Sequence, residues 1–201
     1  MAGKDDAAGR NCEERRGMMI TQLEFEENVG KFQNFEDLRS KIADSVPNLL
    51  SKGFEIEAYV LILSTWNFAN FRYMLTKFNT SKFKSTLADI NPVFERLKVH
   101  DFKNADFDKL ESDIAFIYEH LKEHVQQTGA VKLMHFKIPA LFVMWDTEIR
   151  KKYKISIKAT ASDYVNFLKL MQKDFSHIKW LNQKISFARA VDIYNFITTQ
   201  E

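Results

Sequence analysis

Cysteine is almost absent from the chain: Cys12 stands alone. A single thiol closes no internal disulfide, and without a CxxC pair there is no thiolate set for zinc or an iron–sulfur cluster. Such a composition fits a reducing, intracellular compartment, cytoplasmic or nuclear. Glycine and proline are scarce as well, at 6 and 3 copies in 201 residues. So few breakers cannot punctuate a turn-rich all-β fold. Long apolar runs are missing too. The longest, around Ala58–Leu63, falls far short of the roughly 18 residues a membrane span needs, and no signal-peptide core stands near the start. Nor is there an excess of one charge: 29 Lys+Arg against 27 Asp+Glu leave a formal +2. Any nucleic-acid surface must therefore be a local patch.

What the chain does have is apolar mass. Hydrophobic residues make up 45% of it, and phenylalanine alone contributes 18. A chain of this length can bury roughly 70% of its unfolded surface. The expectation is an all-α fold: residues 20–201 as a single helical unit, either one domain or two lobes sharing a central cleft. Residues 1–19 read as a disordered tail or expression remnant. Met1–Gly17 holds no aromatic residue, and its acids and bases cancel.

From Ile20 onward the apolar period is helical. Phe35, Leu38, Ile42 and Val46 mark an amphipathic helix closed by Pro47, and Gly53 supplies a left-handed helix stop. Phe54–Phe78 reads as one or two apolar helices. Pro92 precedes another helix, through Leu97. The stripe Phe107, Leu110, Ile114, Ile117, Tyr118, Leu121 marks a long helix ending before Gly129. Asp146-Thr147-Glu148 looks like a helix start, Ser162 a cap for Asp163–Phe175, and Phe187–Ile197 closes the chain. Lys154–Ala159 is the one alternating, strand-like piece.

Two stretches are chemically suggestive. In Ile62-Leu63-Ser64-Thr65-Trp66-Asn67-Phe68-Ala69-Asn70, polar side chains cluster inside an apolar helix, where they compete with its backbone hydrogen bonds. A helix break that brings them to a cleft would resolve the conflict; a polar bend between packed helices would do so equally. The second is Thr128-Gly129-Ala130-Val131-Lys132, followed by Pro139 and Trp145-Asp146-Thr147-Glu148-Ile149-Arg150. A Gly129 turn feeding a helix exposes backbone N–H groups able to hold a phosphate. Lys132 would sit on that helix's first turn, where burial and the dipole favour the free amine. Asp146 would be a partly buried carboxylate facing the same cleft. An amine and a carboxylate together are what Schiff-base chemistry at a sugar carbon requires, although a lysine–aspartate pair or a capping aspartate needs no chemistry at all.

In order, these stretches resemble the helix-hairpin-helix DNA glycosylases, the superfamily of endonuclease III and 8-oxoguanine glycosylase. Ile62–Asn70 is similar to the helix whose side chain fills the gap left by a flipped base, with Asn67 near that position and Ser64 matching the helix serine. Gly129–Lys132 resembles a reduced form of the family's Pro-Gly-Val-Gly-x-Lys hairpin, and Pro139…Val143-Met144-Trp145-Asp146-Thr147-Glu148-Ile149 its catalytic aspartate segment. The chain departs from the pattern in having only Gly129 in the hairpin, and in a Lys132–Asp146 interval about one helical turn short. The resemblance implies an N-glycosylase with abasic-site lyase activity, with Lys132 as nucleophile and Asp146 assisting. Damaged or abasic DNA is the implied partner, with no metal or organic cofactor. Asn67, Trp66, Trp145, Gly129, Arg150, Lys151 and Lys152 are the expected base- and backbone-binding residues, and a monomer is expected. The rival expectation is a non-enzymatic helical interaction or nucleic-acid-binding protein on the same scaffold.

His120-Leu-Lys-Glu123-His124 spells an inverted zinc-peptidase motif. Its face, bearing Glu119 and Lys122, reads as solvated instead.

Overall fold

A computed structural model describes residues 19–33, 38–182 and 184–200. The expected tail up to residue 18, and Phe35, lie outside them. The described residues are helical, without a strand. In order come α1 (Gln22–Gln33), α2 (Leu38–Ser51), α3 (Glu55–Trp66), α4 (Phe68–Met74) with a 3-10 turn at Leu75–Lys77, and α5 (Thr80–Leu97). Then follow α6 (Phe107–Lys137), α7 (Thr147–Lys152), α8 (Ala161–Phe175) and α9 (Phe187–Thr198). No helix among the described residues is long and apolar enough to cross a membrane.

The hub is α6, which touches α2, α3, α4, α5 and α8. Its apolar stripe explains this: Ile114, Ile117, Tyr118, Leu121 and Val125 are fully buried, as are Ala130, Val131, Leu133 and Met134 further along. The chain then closes on itself, with α1 packing against α9 through Phe25, whose ring stacks on Tyr194 at 5.5 Å. One continuous apolar cluster joins the elements.

Most helix ends obey local rules. Asn79, Asp106, Asp146, Thr160 and Ser186 cap α5 to α9, each accepting from a backbone N–H three residues on. Gly53 takes φ +82, and Phe54 N–H bonds back to the Leu49 carbonyl, the left-handed stop expected of it.

Several expected boundaries shift. Pro47 does not close a helix and Pro92 does not precede one: α2 runs through the first and α5 through the second. A proline removes one backbone donor. Here buried Val46 precedes Pro47, and buried Ile90, Val93, Phe94 and Leu97 surround Pro92, so packing carries each helix past it. The cap of α8 is Thr160, in a reciprocal capping box with Asp163, rather than Ser162. Lys154–Ala159 forms turns. Lys154 is left-handed at φ 56, and the Arg150 guanidinium occupies the Ser156 and Ile157 carbonyls.

The largest correction is inside α6. The helix does not end before Gly129. It kinks at Gln126, whose φ of 59 and ψ of 179 interrupt the helical backbone, and residues 127–137 continue on a new axis. Gly129 is buried within this second half, and its role is clearance: a Cβ there would stand 2.8 Å from Val125 Cβ and 3.2 Å from Asn67 Nδ2. The two sequence stretches singled out above therefore meet at this point.

Candidate functional site

The break between α3 and α4 is at Asn67, with φ −133 and ψ 26. Ser64 and Thr65 do not open toward a cleft. Both hydroxyls bond back to carbonyls of their own helix, at Leu61 and, for Thr65, also Ile62. Asn67 turns inward and is buried; its Nδ2 has no hydrogen-bond partner among the described residues. An unsatisfied buried amide is costly, and this one sits against Gly129.

Trp66 ends α3 and is half-buried. Three groups converge on it. Lys132 donates from Nζ to its carbonyl. The Arg189 guanidinium lies 4.8 Å from its ring centroid and 5.2 Å from that of Phe32. Phe136, one turn after Lys132, meets its ring edge-on at 5.6 Å. Lys132 is itself half-buried, and it lies in the second turn after the kink, not the first turn of a helix.

Asp146 caps α7, its Oδ1 accepting from Ile149 N–H at 2.8 Å, and is half-buried. The sequence reading passed over a second buried acid. Asp192, 5% exposed on α9, pairs with Arg189. Burial pushes its carboxyl up to about 6; Arg189 and Lys132 pull it down, and Asp146 adds to the rise. Lys132 and the Arg189–Asp192 pair thus gather around Trp66. His135 is also buried, with Nδ1 against the Phe142 carbonyl at 2.6 Å. Burial first, and Arg189 second, hold its imidazole down to about 3. The signal for Asp192 was an acid between Val191 and Ile193, both in the core, in a helix whose period leaves no solvated face at that position.

Other expected binding residues lie elsewhere. Trp145 is fully buried, meeting Tyr164 at 4.9 Å, Phe167 at 5.3 Å and Tyr118 at 6.4 Å. It is core: the apolar run Leu141–Trp145 is buried throughout. Arg150 is also buried, its guanidinium given to the loop carbonyls of Ser156 and Ile157 and, at 3.4 Å, to the Thr128 hydroxyl. Lys151 is exposed and paired with Glu148 at 2.8 Å. Lys152 is half-buried, donating to Thr198 Oγ1 at 2.6 Å. Arg150, Lys151 and Lys152 therefore form no single basic face, because consecutive residues of a helix point in different directions.

Exposed cations do follow Asn67 directly. From Ala58 to Ala88 the sequence has no acid and four bases, Arg72, Lys77, Lys82 and Lys84. All four are exposed, as are Phe68, Tyr73 and Leu75. Arg72 stands 4.6 Å from the Tyr73 ring centroid and donates to its hydroxyl. This acid-free interval is legible in the sequence.

The histidines of the inverted zinc motif are separately engaged. His120 Nδ1 meets the Phe116 carbonyl at 2.7 Å, and His124 Nε2 meets the Thr86 hydroxyl at 2.9 Å. Glu123 faces Lys82. Among the described residues no group of three or more His, Cys, Asp or Glu side chains could hold a metal ion.

No protein-family model matches the chain, and no characterised protein or solved structure matches it either.

Proposed function

We propose that the protein is a DNA-repair N-glycosylase with abasic-site lyase activity, a divergent relative of the helix-hairpin-helix glycosylases arranged as two lobes around the Trp66–Lys132 cluster. One observation carries the reading: Lys132 donates from Nζ to the backbone carbonyl of Trp66, so the two stretches that suggested the site meet. The contact between Asn67 and Gly129 supports it by joining the base-gap helix to the lysine helix.

A damaged base is flipped out of the duplex, at a cost of a few kcal/mol of unstacking. Lys132 nitrogen bonds to the sugar C1′ as the bond from C1′ to the base breaks, and the base leaves with that electron pair. Opening of the sugar ring gives a Schiff base, from which elimination nicks the strand. Asp146, fixed by its capping bond, stabilises positive charge developing at the sugar. With Arg150 buried, the DNA backbone is held by Arg72, Lys77 and Lys84 beside the exposed Phe68 and Tyr73, since phosphate attraction comes from cations that reach solvent.

The test is borohydride trapping with an oligonucleotide carrying an abasic site, comparing wild type with Lys132→Gln. An adduct formed by wild type and lost in the variant, with DNA binding retained, is the expected result. With neither an adduct nor salt-sensitive DNA binding, the apolar patch Phe68, Tyr73 and Leu75 would point to the rival, a helical interaction module.

A further inference from the structure

The reaction just described uses the exposed cations around α4 and leaves the rings among them without a task. Phe68 is 56% exposed and Tyr73 69%, with exposed Leu75 close after them. Single exposed apolar residues are ordinary, but several together on one short element mark a surface that meets something.

Three buried or half-buried rings fix how this surface is laid out. Phe71 of α4 meets Phe78 at 5.9 Å, and Phe78 meets Phe83 of α5 at 5.1 Å. That row pins α4, the 3-10 turn and the start of α5 side by side on the core. The residues around these anchors remain exposed: Phe68, Arg72, Tyr73, Leu75, Lys77 and Lys84. Phe68 and Arg72 stand one turn apart, on one face of α4. Arg72 joins Tyr73 to that face, its guanidinium carbon 4.6 Å from the ring centroid and its Nη2 donating to the phenol oxygen at 2.6 Å. A ring held by a cation yet still exposed offers a flat π-surface next to a fixed positive charge. With no acid from Ala58 to Ala88, this stretch of chain carries one sign of charge.

Paired DNA has no use for these rings. In a duplex the base faces are stacked on one another, and only phosphates, sugars and groove edges are presented. An unpaired strand presents phosphates for Arg72, Lys77 and Lys84 and free base faces for Phe68 and Tyr73. That combination of cations and stacking rings is how single strands are held without reading their sequence. A protein partner is the poorer match, since lysine is depleted at protein interfaces.

We propose that the α4 face binds an unpaired stretch of DNA, with its bases stacked on Phe68 and Tyr73, so that the substrate is a duplex continuing into a single strand. The inference rests on the DNA reading above and adds the form of the DNA.

The experiment is anisotropy of three labelled probes across a salt series: a blunt duplex, the same duplex with a single-stranded extension, and the extension alone. Wild type is compared with Phe68→Ala/Tyr73→Ala, Phe68→Leu/Tyr73→Leu and Phe68→Tyr. All of these changes fall at exposed positions, where the fold tolerates substitution, and Tm is measured for each. Wild type should bind the extended duplex tighter than the blunt one by about tenfold or more. The alanine and leucine pairs should lose that preference while keeping the wild-type affinity and salt slope on the blunt duplex, because the same phosphates are still neutralised. Phe68→Tyr, which keeps a ring, should keep the preference. Equal affinity of wild type for the two duplexes would overturn the proposal. So would a preference that survives in the leucine pair, which retains apolar surface but no ring. Salt-sensitive binding of both duplexes without preference removes this inference alone and leaves the glycosylase reading standing. No salt-sensitive binding of any probe removes both.

Discussion

At the scale of single residues, the interior holds two ionisable groups whose effects on stability oppose each other. His135 is buried and held down to about 3, against roughly 6.5 in an unfolded chain. Below 6.5 the unfolded chain therefore binds the proton and the folded one resists it. The stability tied to a neutral His135 is full above that value and is lost toward pH 3, by about 1.4 kcal/mol for each unit. Asp192 runs the other way. Its carboxyl, raised to about 6, favours the folded state while protonated and costs stability as pH climbs from roughly 4 to 6. The two slopes partly cancel in wild type, so only a comparison exposes them. In urea unfolding, the stability advantage of wild type over His135→Gln should shrink by about 1.4 kcal/mol per unit as pH is lowered from 6.5. An advantage independent of pH would mean that His135 is charged inside the fold.

At the scale of elements, helix identity was legible, as were the stop at Gly53 and the break at Asn67; the kink of α6 was not. The stripe from Phe107 to Leu121 and the cap of α7 at Asp146 follow from period and cap chemistry, which act within a few residues. The interruption of α6 was expected at Gly129, the residue that tolerates any backbone, and occurs at Gln126. Glycine was needed instead for room beside Asn67, a tertiary demand that no local pattern carries. For the same reason Trp145 and Arg150 looked like binding residues: exposure is decided by which elements pack on them, and α8 covers Trp145 with Tyr164 and Phe167. The kink itself is strained, since φ 59 with ψ 179 is a region occupied almost only by glycine and costs about 1–3 kcal/mol for other residues. Gln126→Gly should stabilise the protein by about 1 kcal/mol after the unfolded-state entropy of glycine is subtracted, roughly 0.5–1 kcal/mol. A raised midpoint in chemical denaturation at unchanged m-value is the expected observation. A lowered midpoint would show that the Gln126 side chain contributes more than its backbone costs.

At the scale of the whole molecule, a formal charge of +2 makes distribution decisive. Of the cations expected to face DNA, Arg150 is buried and Lys151 is balanced by Glu148. The acid-free interval from Ala58 to Ala88 keeps Arg72, Lys77 and Lys84 exposed beside Phe68 and Tyr73. Each phosphate neutralised on B-DNA releases counterions and contributes about −0.9 to the slope of log K against log salt. Changing Arg72, Lys77 and Lys84 together to glutamine should therefore flatten that slope by roughly 2 to 3, measured by anisotropy of a labelled duplex across a salt series. Lys151→Gln, whose partner Glu148 already offsets its charge, should change it by well under one. The contrast separates the two surfaces without requiring catalysis. Equal slopes for wild type and the triple variant would place the DNA elsewhere on the molecule. A steeper loss from Lys151→Gln would return it to α7, against the inward turn of that helix's other two cations.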